Sequence, residues 1–173
     1  MNLVLKATQF AALKHCDQRR KDGKTPYIIH PISVAMILAE IGGIEDPEIL
    51  SAALLHDTIE DTDTSAHELD KEFGSRVRII VEELTDNNQL TFSQRKQMQI
   101  DNAPHLSKDA TLVKIADKIS NVSDVIKTPP PEWDQKRCTE YVDRAEAVIN
   151  NCQKVNQDLE NHFFELLTEY RKL

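Results

Sequence analysis

The sequence predicts an all-α chain, a helical bundle of roughly eight to ten helices, and three observations carry that expectation. Only 4 of its 173 residues are Gly and aromatics make up 5%, while stretches rich in Ala, Leu, Ile, Glu and Lys favour helix over sheet. Apolar residues recur at helical spacing in one segment after another. No segment alternates polar and apolar residues with the period of a strand.

The elements follow in order. The first periodic segment runs from about Leu3 to Cys16, through Leu3, Ala7, Phe10, Ala11 and Lys14. A basic loop comes next, closed by Thr25-Pro26-Tyr27. Pro31 suits the first turn of a helix that carries Val34, Ile37 and Leu38 to a stop at Gly42-Gly43. Asp46-Pro47-Glu48 supplies a cap, a first-turn proline and a first-turn acid for a helix containing Ala52 to Asp61. Ser65-Ala66-His67-Glu68 has capping-box form and opens a short helix ending at Gly74. Ser75 caps the next, with Val77, Ile80, Val81 and Leu84 on its apolar face. A polar connection, Asp86 to Gln89, leads to a short helix near Ser93 to Asn102. Ser107 caps a long helix, Lys108 to Ile126, which Pro129-Pro130-Pro131 ends. Two amphipathic segments, Trp133 to Cys152 and Val155 to Tyr170, complete the chain.

With 40% hydrophobic and 29% charged residues, the chain has the composition of a globular protein long enough to bury a real core. No repeat, low-complexity tract or Gly/Ser linker divides it. One domain over residues 1–173 is expected, its motifs between about 10 and 147 and its C-terminal helices, 148–173, packing on them. No apolar run reaches the roughly 18 residues of a bilayer span. Lys6, Thr8 and Gln9 interrupt the N-terminal stretch, which lacks a signal-peptide core. Cys16, Cys138 and Cys152 are odd in number and widely spaced, as expected of reduced thiols in a cytoplasmic protein.

A net charge of −8 disfavours a nucleic-acid polymer as partner. The charge is uneven: Lys14 to Lys24 sums to +3, which leaves −11 on the rest. A compact basic island on an acidic chain suits a small anionic ligand.

The strongest local signal is His56-Asp57-Thr58-Ile59-Glu60-Asp61, entered through Ala52-Ala53-Leu54-Leu55. That apolar lead-in implies a buried helix, and four ionisable groups on a buried helix need compensation. Helical spacing sets His56 near Glu60 and Asp57 near both Glu60 and Asp61. Acids so crowded repel one another without a cation, and a divalent metal supplies one. His30, at a helix entrance, and Asp117, at the end of Leu112-Val113-Lys114-Ile115-Ala116, meet the same demand. Singly, His30 beside Pro31 reads as a structural hydrogen-bonder and Asp117 beside Lys118 as an ordinary ion pair. Together, two imidazoles and two carboxylates from three helices suit Mn²⁺, Fe²⁺ or Zn²⁺.

The order His30, His56-Asp57, Asp117 resembles the signature of the HD phosphohydrolase superfamily. The finer resemblance is to the hydrolase domain of RelA/SpoT proteins, especially the short stand-alone alarmone hydrolases related to the metazoan SpoT homologue. It rests on Arg19-Arg20-Lys21-Asp22, on Thr25-Pro26-Tyr27-Ile28-Ile29-His30-Pro31, on Ala52 to Thr62 and on Phe73-Gly74. Leu112 to Asn121, Trp133, Arg137 and Tyr141 extend it over roughly Phe10 to Ala147. The resemblance implies an all-helical fold, Mn²⁺, and hydrolysis of guanosine tetra- or pentaphosphate at the 3′ position to GDP or GTP and pyrophosphate. Carried over by position, it implies His30, His56, Asp57 and Asp117 as metal ligands and Glu60 and Asp61 as the acids that activate or position water. It implies Asn121 near metal and sugar, Arg20 and Lys21 in a nucleotide-contacting loop, and Arg137 and Tyr141 facing substrate.

The chain departs from those relatives in three places. Its basic loop is one residue shorter before Thr25, Phe92 stands where a lysine is usual, and Ser123 replaces a common arginine. RelA/SpoT proteins continue into a synthetase region, so degradation without synthesis is expected here. Rival readings are an enzyme of the same superfamily acting on another phosphorylated nucleotide (a nucleoside monophosphate, an adenine alarmone, the 2′-phosphate of NADPH), a non-catalytic nucleotide sensor, and a helical interaction module. His15, His67, His105 and His162 are expected to face solvent or pack locally, and Lys114 to make an ordinary ion pair. Phe163, Phe164, Leu166 and Leu167 are read as core or as the face of a homodimer.

Overall fold

A computed structural model describes residues 2–173. In chain order its helices are α1 (Leu3–Lys14), α2 (Ile29–Glu40), α3 (Pro47–Leu55), α4 (Thr58–Asp61), α5 (Ala66–Phe73) and α6 (Ser75–Leu84). They continue with α7 (Phe92–Asn102), a single 3-10 turn (Ala103–His105), α8 (Lys108–Lys127), α9 (Gln135–Asn151) and α10 (Gln157–Tyr170). Among the described residues no strand forms. The one β-bridge, Arg19 with Pro26, pinches the basic loop.

α8 is the hub. Ala110 to Ala116 are buried on every side of it, as in a helix wrapped by its neighbours, and α2, α3, α6, α9 and α10 all pack against it. α1 lies on α3, and α2 on α3. Val34, Leu38, Leu55, Ile115, Phe163 and Leu167 belong to one continuous core, so α10 joins the same interior as the motif-bearing helices, with Phe164 packed at its margin. Where α2 runs into α3, Gly42 allows a close approach. A Cβ there would meet Leu38 O at 2.8 Å and Leu159 Cδ1 at 3.1 Å. Its carbonyl accepts a 2.8 Å bond from Asn156 Nδ2, the residue that caps α10.

The helix expected over Ala52 to Asp61 is two helices. α3 ends at Leu55, and His56 and Asp57 form the corner before α4. Side chains take over the last carbonyls: His56 Nδ1 donates to Ala53 O at 2.7 Å and Thr58 Oγ1 to Leu55 O at 2.7 Å. Such local bonds compete with helix continuation. The corner turns His56 and Asp57 toward the same point, which an unbroken helix would not do.

The helix starts need two more corrections. Ser75 is the first residue of α6 and caps nothing; Gly74, at φ 90°, serves as both end of α5 and entry to α6. The Ser65 side chain accepts from Glu68 N, but no reciprocal bond closes a box there, since Glu68 turns to Lys14. The full capping box is at Thr91 and Gln94, opening α7. No helix among the described residues is long and apolar enough to cross a membrane.

Candidate active site

His30 comes from the first turn of α2, His56 and Asp57 from the α3–α4 corner, and Asp117 from the middle of α8. His30 Nε2 lies 3.1 Å from Asp117 Oδ1 and 3.8 Å from Asp57 Oδ2. His56 Nε2 lies 3.0 Å from Asp57 Oδ2 and 3.6 Å from Asp117 Oδ1. Both imidazoles are buried. The four residues converge.

The tautomer of His56 tells what the site can take. A carbonyl can only accept, so Nδ1, 2.7 Å from Ala53 O, carries the proton and Nε2 of the neutral ring is a lone pair. That nitrogen is buried without a hydrogen bond, although a carboxylate oxygen sits 3.0 Å away. A lone pair aimed at carboxylates is repelled unless a cation lies among them. A proton can serve: burial opposes it, but Asp57 and Asp117 lift the His56 pKa well above the usual imidazole range. Burial wins at His30, whose pKa is lowered even with Asp117 beside it. Burial would raise the two carboxyls, yet His56 beside Asp57, and Lys118 beside Asp117, hold both below the ordinary range. Two imidazole nitrogens with carboxylate oxygens are the donor set of a divalent transition ion, and these residues could hold one.

Neighbours fix the set from outside. Ser120 Oγ lies 3.1 Å from His30 Nδ1, and Asn121 Nδ2 donates to Asp117 Oδ1 at 2.7 Å. Tyr27 Oη donates to Asp57 Oδ2 at 2.6 Å and reaches Asp61 Oδ2 at 3.4 Å. Burial and Asp57 push the Tyr27 pKa up, so the phenol stays a donor.

Asp57, Glu60 and Asp61 form a second acidic group whose oxygens lie within 4.8 Å of one another. Burial, then the charges of Asp86, Asp57 and Asp61, pushes the Glu60 pKa up to about 7, although the Asp86 N–H, 2.6 Å from Oε1, pulls the other way. Asp61 is exposed and raised by residual desolvation and by Asp57. Gln18 Nε2 grips the Asp61 carbonyl at 2.6 Å, and its other end lies 2.8 Å from His15 Nδ1. His15 thus packs locally, but fully buried beneath the acids.

The basic island divides. Lys14 turns away to Asp63 and Glu68, and Arg19 binds the carbonyls of Cys16 and Gln18. Arg20 reaches Asn121 Oδ1 at 2.9 Å and Asp124 Oδ2 at 2.7 Å. With Lys21, Ile29, His30 and Val125 it lines a cavity of about 140 Å³. Lys21 also opens onto a wider groove of about 660 Å³ lined by Phe92, Lys96, Trp133, Arg137, Tyr141 and Arg144. Its ammonium sits 4.7 Å from the Trp133 ring and 4.3 Å from Tyr141. Lys21 is exposed overall, but desolvation of that ammonium, then Arg20, Lys118 and Lys96, lowers its pKa to about 8. Arg137 stacks on Trp133 at 4.8 Å. Arg20 and Asn121 therefore share one recess, Arg137 and Tyr141 another, and Lys21 borders both. Exposed Phe92 carries Lys96 and Arg144 over its ring at 5.2 Å and 6.0 Å, so charge stands beside the position where it was not expected.

Lys114 makes no ion pair or hydrogen bond among the described residues, contrary to expectation. It is buried in α8, and desolvation lowers its pKa. Tyr27, Ser120, Gln18 and Asp124 were not foreseen as site residues. Only Ser120 carries a sequence signal, standing three after Asp117 on the same face of α8; Tyr27 lies in the turn before α2.

An HD-domain family model matches residues 7–144. The chain is 48% identical over 166 residues to the guanosine-3′,5′-bis(diphosphate) 3′-pyrophosphohydrolase MESH1 of Xenopus tropicalis, covering 94% of this chain and 93% of that one. The Homo sapiens protein of the same name is 48% identical over 166 residues, with the same coverage. A solved structure of a metazoan SpoT ortholog that hydrolyses ppGpp superposes with a TM-score of 0.95 at 40% identity, over 100% of this chain and 98% of that one.

Proposed function

The chain belongs to the HD-domain family, among the guanosine-3′,5′-bis(diphosphate) 3′-pyrophosphohydrolases, and from that premise we propose that it removes the 3′-pyrophosphate of guanosine tetra- or pentaphosphate. The products are GDP or GTP and pyrophosphate. One observation carries the reading: two imidazoles and two carboxylates meet at one point, with an otherwise unpartnered His56 lone pair among them.

His30, His56, Asp57 and Asp117 would hold a single divalent ion, for which we propose Mn²⁺. When bound, such an ion supplies Lewis acidity toward phosphate oxygens and makes nearby water more acidic. Glu60, with a pKa near 7, accepts the proton of the attacking water. Asp61, tied to Tyr27, orients that water. The water oxygen bonds to the phosphorus next to the 3′-oxygen as the bond between that phosphorus and the 3′-oxygen breaks, and the 3′-oxygen leaves with the ribose, taking a proton from solvent to become the 3′-hydroxyl. Arg20 and Asn121 face the nucleoside, while Lys21, Arg137 and Tyr141 face its phosphates. Such transfer needs chiefly charge neutralisation and alignment. Three unpaired cysteines support a cytoplasmic setting.

The test is incubation with guanosine tetraphosphate and Mn²⁺, with and without chelator, followed by product identification. Chelator-sensitive release of GDP and pyrophosphate is expected. Release of single phosphate, or turnover only of other phosphorylated nucleotides, would reject the substrate assignment.

A further inference from the structure

We infer that Gln99 is a positioning residue for Glu60, acting through the loop that follows α6; this rests on the reading of Glu60 as the base. Gln99 lies on α7, partly buried, with both ends of its amide engaged. Nε2 donates to Asp86 Oδ2 at 2.6 Å, and Oε1 accepts from Lys118 Nζ at 3.4 Å. Asp86 in turn donates its backbone N–H to Glu60 Oε1 at 2.6 Å, while Lys118 Nζ lies 3.4 Å from Asp117 Oδ2. One continuous chain therefore runs from the metal-set carboxylate of Asp117, through Lys118, Gln99 and Asp86, to Glu60.

The chemistry of the link calls for an amide. One end must donate to a carboxylate and the other must accept from an ammonium, and Gln offers both within one plane. A carboxylate at this position would face Asp86, and an apolar side chain would release both partners. Asp86 is the second residue beyond α6, and its carboxylate has no other hydrogen-bond partner among the described residues. Gln99 fixes the Asp86 carboxylate, while Asn88, bonded to the Glu60 carbonyl and to Arg95, holds the middle of the loop; the Asp86 N–H in turn fixes Glu60 Oε1. Glu60 Oε2 is left free to take a proton. Because α7 also carries Phe92 and Lys96 at the groove, the same helix borders the phosphates and steadies the base.

Gln99→Met keeps side-chain length and removes both bonds. In the Mn²⁺-loaded full chain it is expected to lower kcat for guanosine tetraphosphate on the order of 10–100-fold, with KM and Mn²⁺ affinity within about twofold, since small misplacement of a reacting group costs this much. Asp86→Ala, which removes the acceptor of the Gln99 bond and keeps the backbone N–H, is expected to lower kcat similarly, and the double variant to be no worse than either single one. Exchange of the Asp86 amide, followed by NMR, should quicken at least about tenfold in Gln99→Met, a readout that needs no turnover. Unchanged kcat, multiplying losses in the double variant, or unchanged Asp86 exchange would overturn the assignment. If the unsubstituted protein releases no pyrophosphate while Asp86 exchange still quickens, the reaction assigned above fails and the Gln99 brace stands.

Discussion

Around His56 each charged group lies against an oppositely charged or hydrogen-bonded partner on a buried element. Along the groove, Lys21, Lys96, Lys136, Arg137 and Arg144 make, among the described residues, none of the ion pairs that occupy Lys14, Arg20, Arg76 and Lys118. The first region is fixed by the protein's own groups: a backbone carbonyl, Ser120, Tyr27 and Asn121 hold the four converging side chains. The second carries an excess of positive charge, five cations to the three acids Glu132, Asp134 and Glu140, with Lys21 and Arg137 set against aromatic rings. Preorganisation serves chemistry, where geometry sets the rate. Unspent charge serves capture of an anion, where attraction acts over distance and yields to salt.

That contrast can be broken or sharpened in four ways, beginning with the largest effect. Asp57→Ala should abolish both metal binding and turnover, measured as metal content by mass spectrometry alongside the rate; retained metal would mean that Asp57 is no ligand. Glu60→Gln should keep the metal while kcat falls by about 10²–10⁴. Metal loss equal to that of Asp57→Ala would merge the two acidic roles that we separate.

The third concerns pH. Glu60 acts as base only when ionised, so kcat at saturating metal should drop about tenfold per unit once pH falls below the Glu60 pKa, which a cation held beside Asp57 would bring down from about 7. Stability should move the other way. The Glu60 pKa is raised in the fold from 4.5 to about 7, so its contribution is complete below 4.5 and lost as pH rises through about 7. Glu60→Gln should therefore melt above the native metal-free protein at pH 8 and level with it near pH 4.5. The same Tm gap at both pH values would contradict the shift. The smallest effect belongs to the groove: Arg137→Ala should raise KM roughly tenfold with kcat little changed, and 0.5 M salt should shrink the difference. A loss confined to kcat would place Arg137 with the chemistry instead.

What was legible in the sequence follows the same division. Helices announced themselves by period and caps, as at Asp46-Pro47 and Ser107, because those signals are local. The four convergent residues were legible because acids and imidazoles inside apolar runs need a reason. The corner at His56-Asp57 was not, since Ala52 to Asp61 has helical character throughout and only the bonds to Ala53 O and Leu55 O break it. Gln18, Gln99 and Asp124 were invisible for another cause. Each is an ordinary polar residue with a site partner 13 to 104 positions away, as Gln18 with Asp61, Gln99 with Asp86 and Asp124 with Arg20. Arg137 and Tyr141, which family resemblance alone marked as substrate-facing, line the groove, and no pattern in the chain joins Lys21 to α9.

Anomalous diffraction from crystals soaked in Mn²⁺ tests the account most directly, because two neighbouring groups, His30 with His56 and Asp117, and Asp57 with Glu60 and Asp61, could each hold an ion. The account predicts one peak within coordination distance of His30, His56, Asp57 and Asp117 together. A peak held by Asp57, Glu60 and Asp61 without either imidazole, or no peak at all, would contradict it.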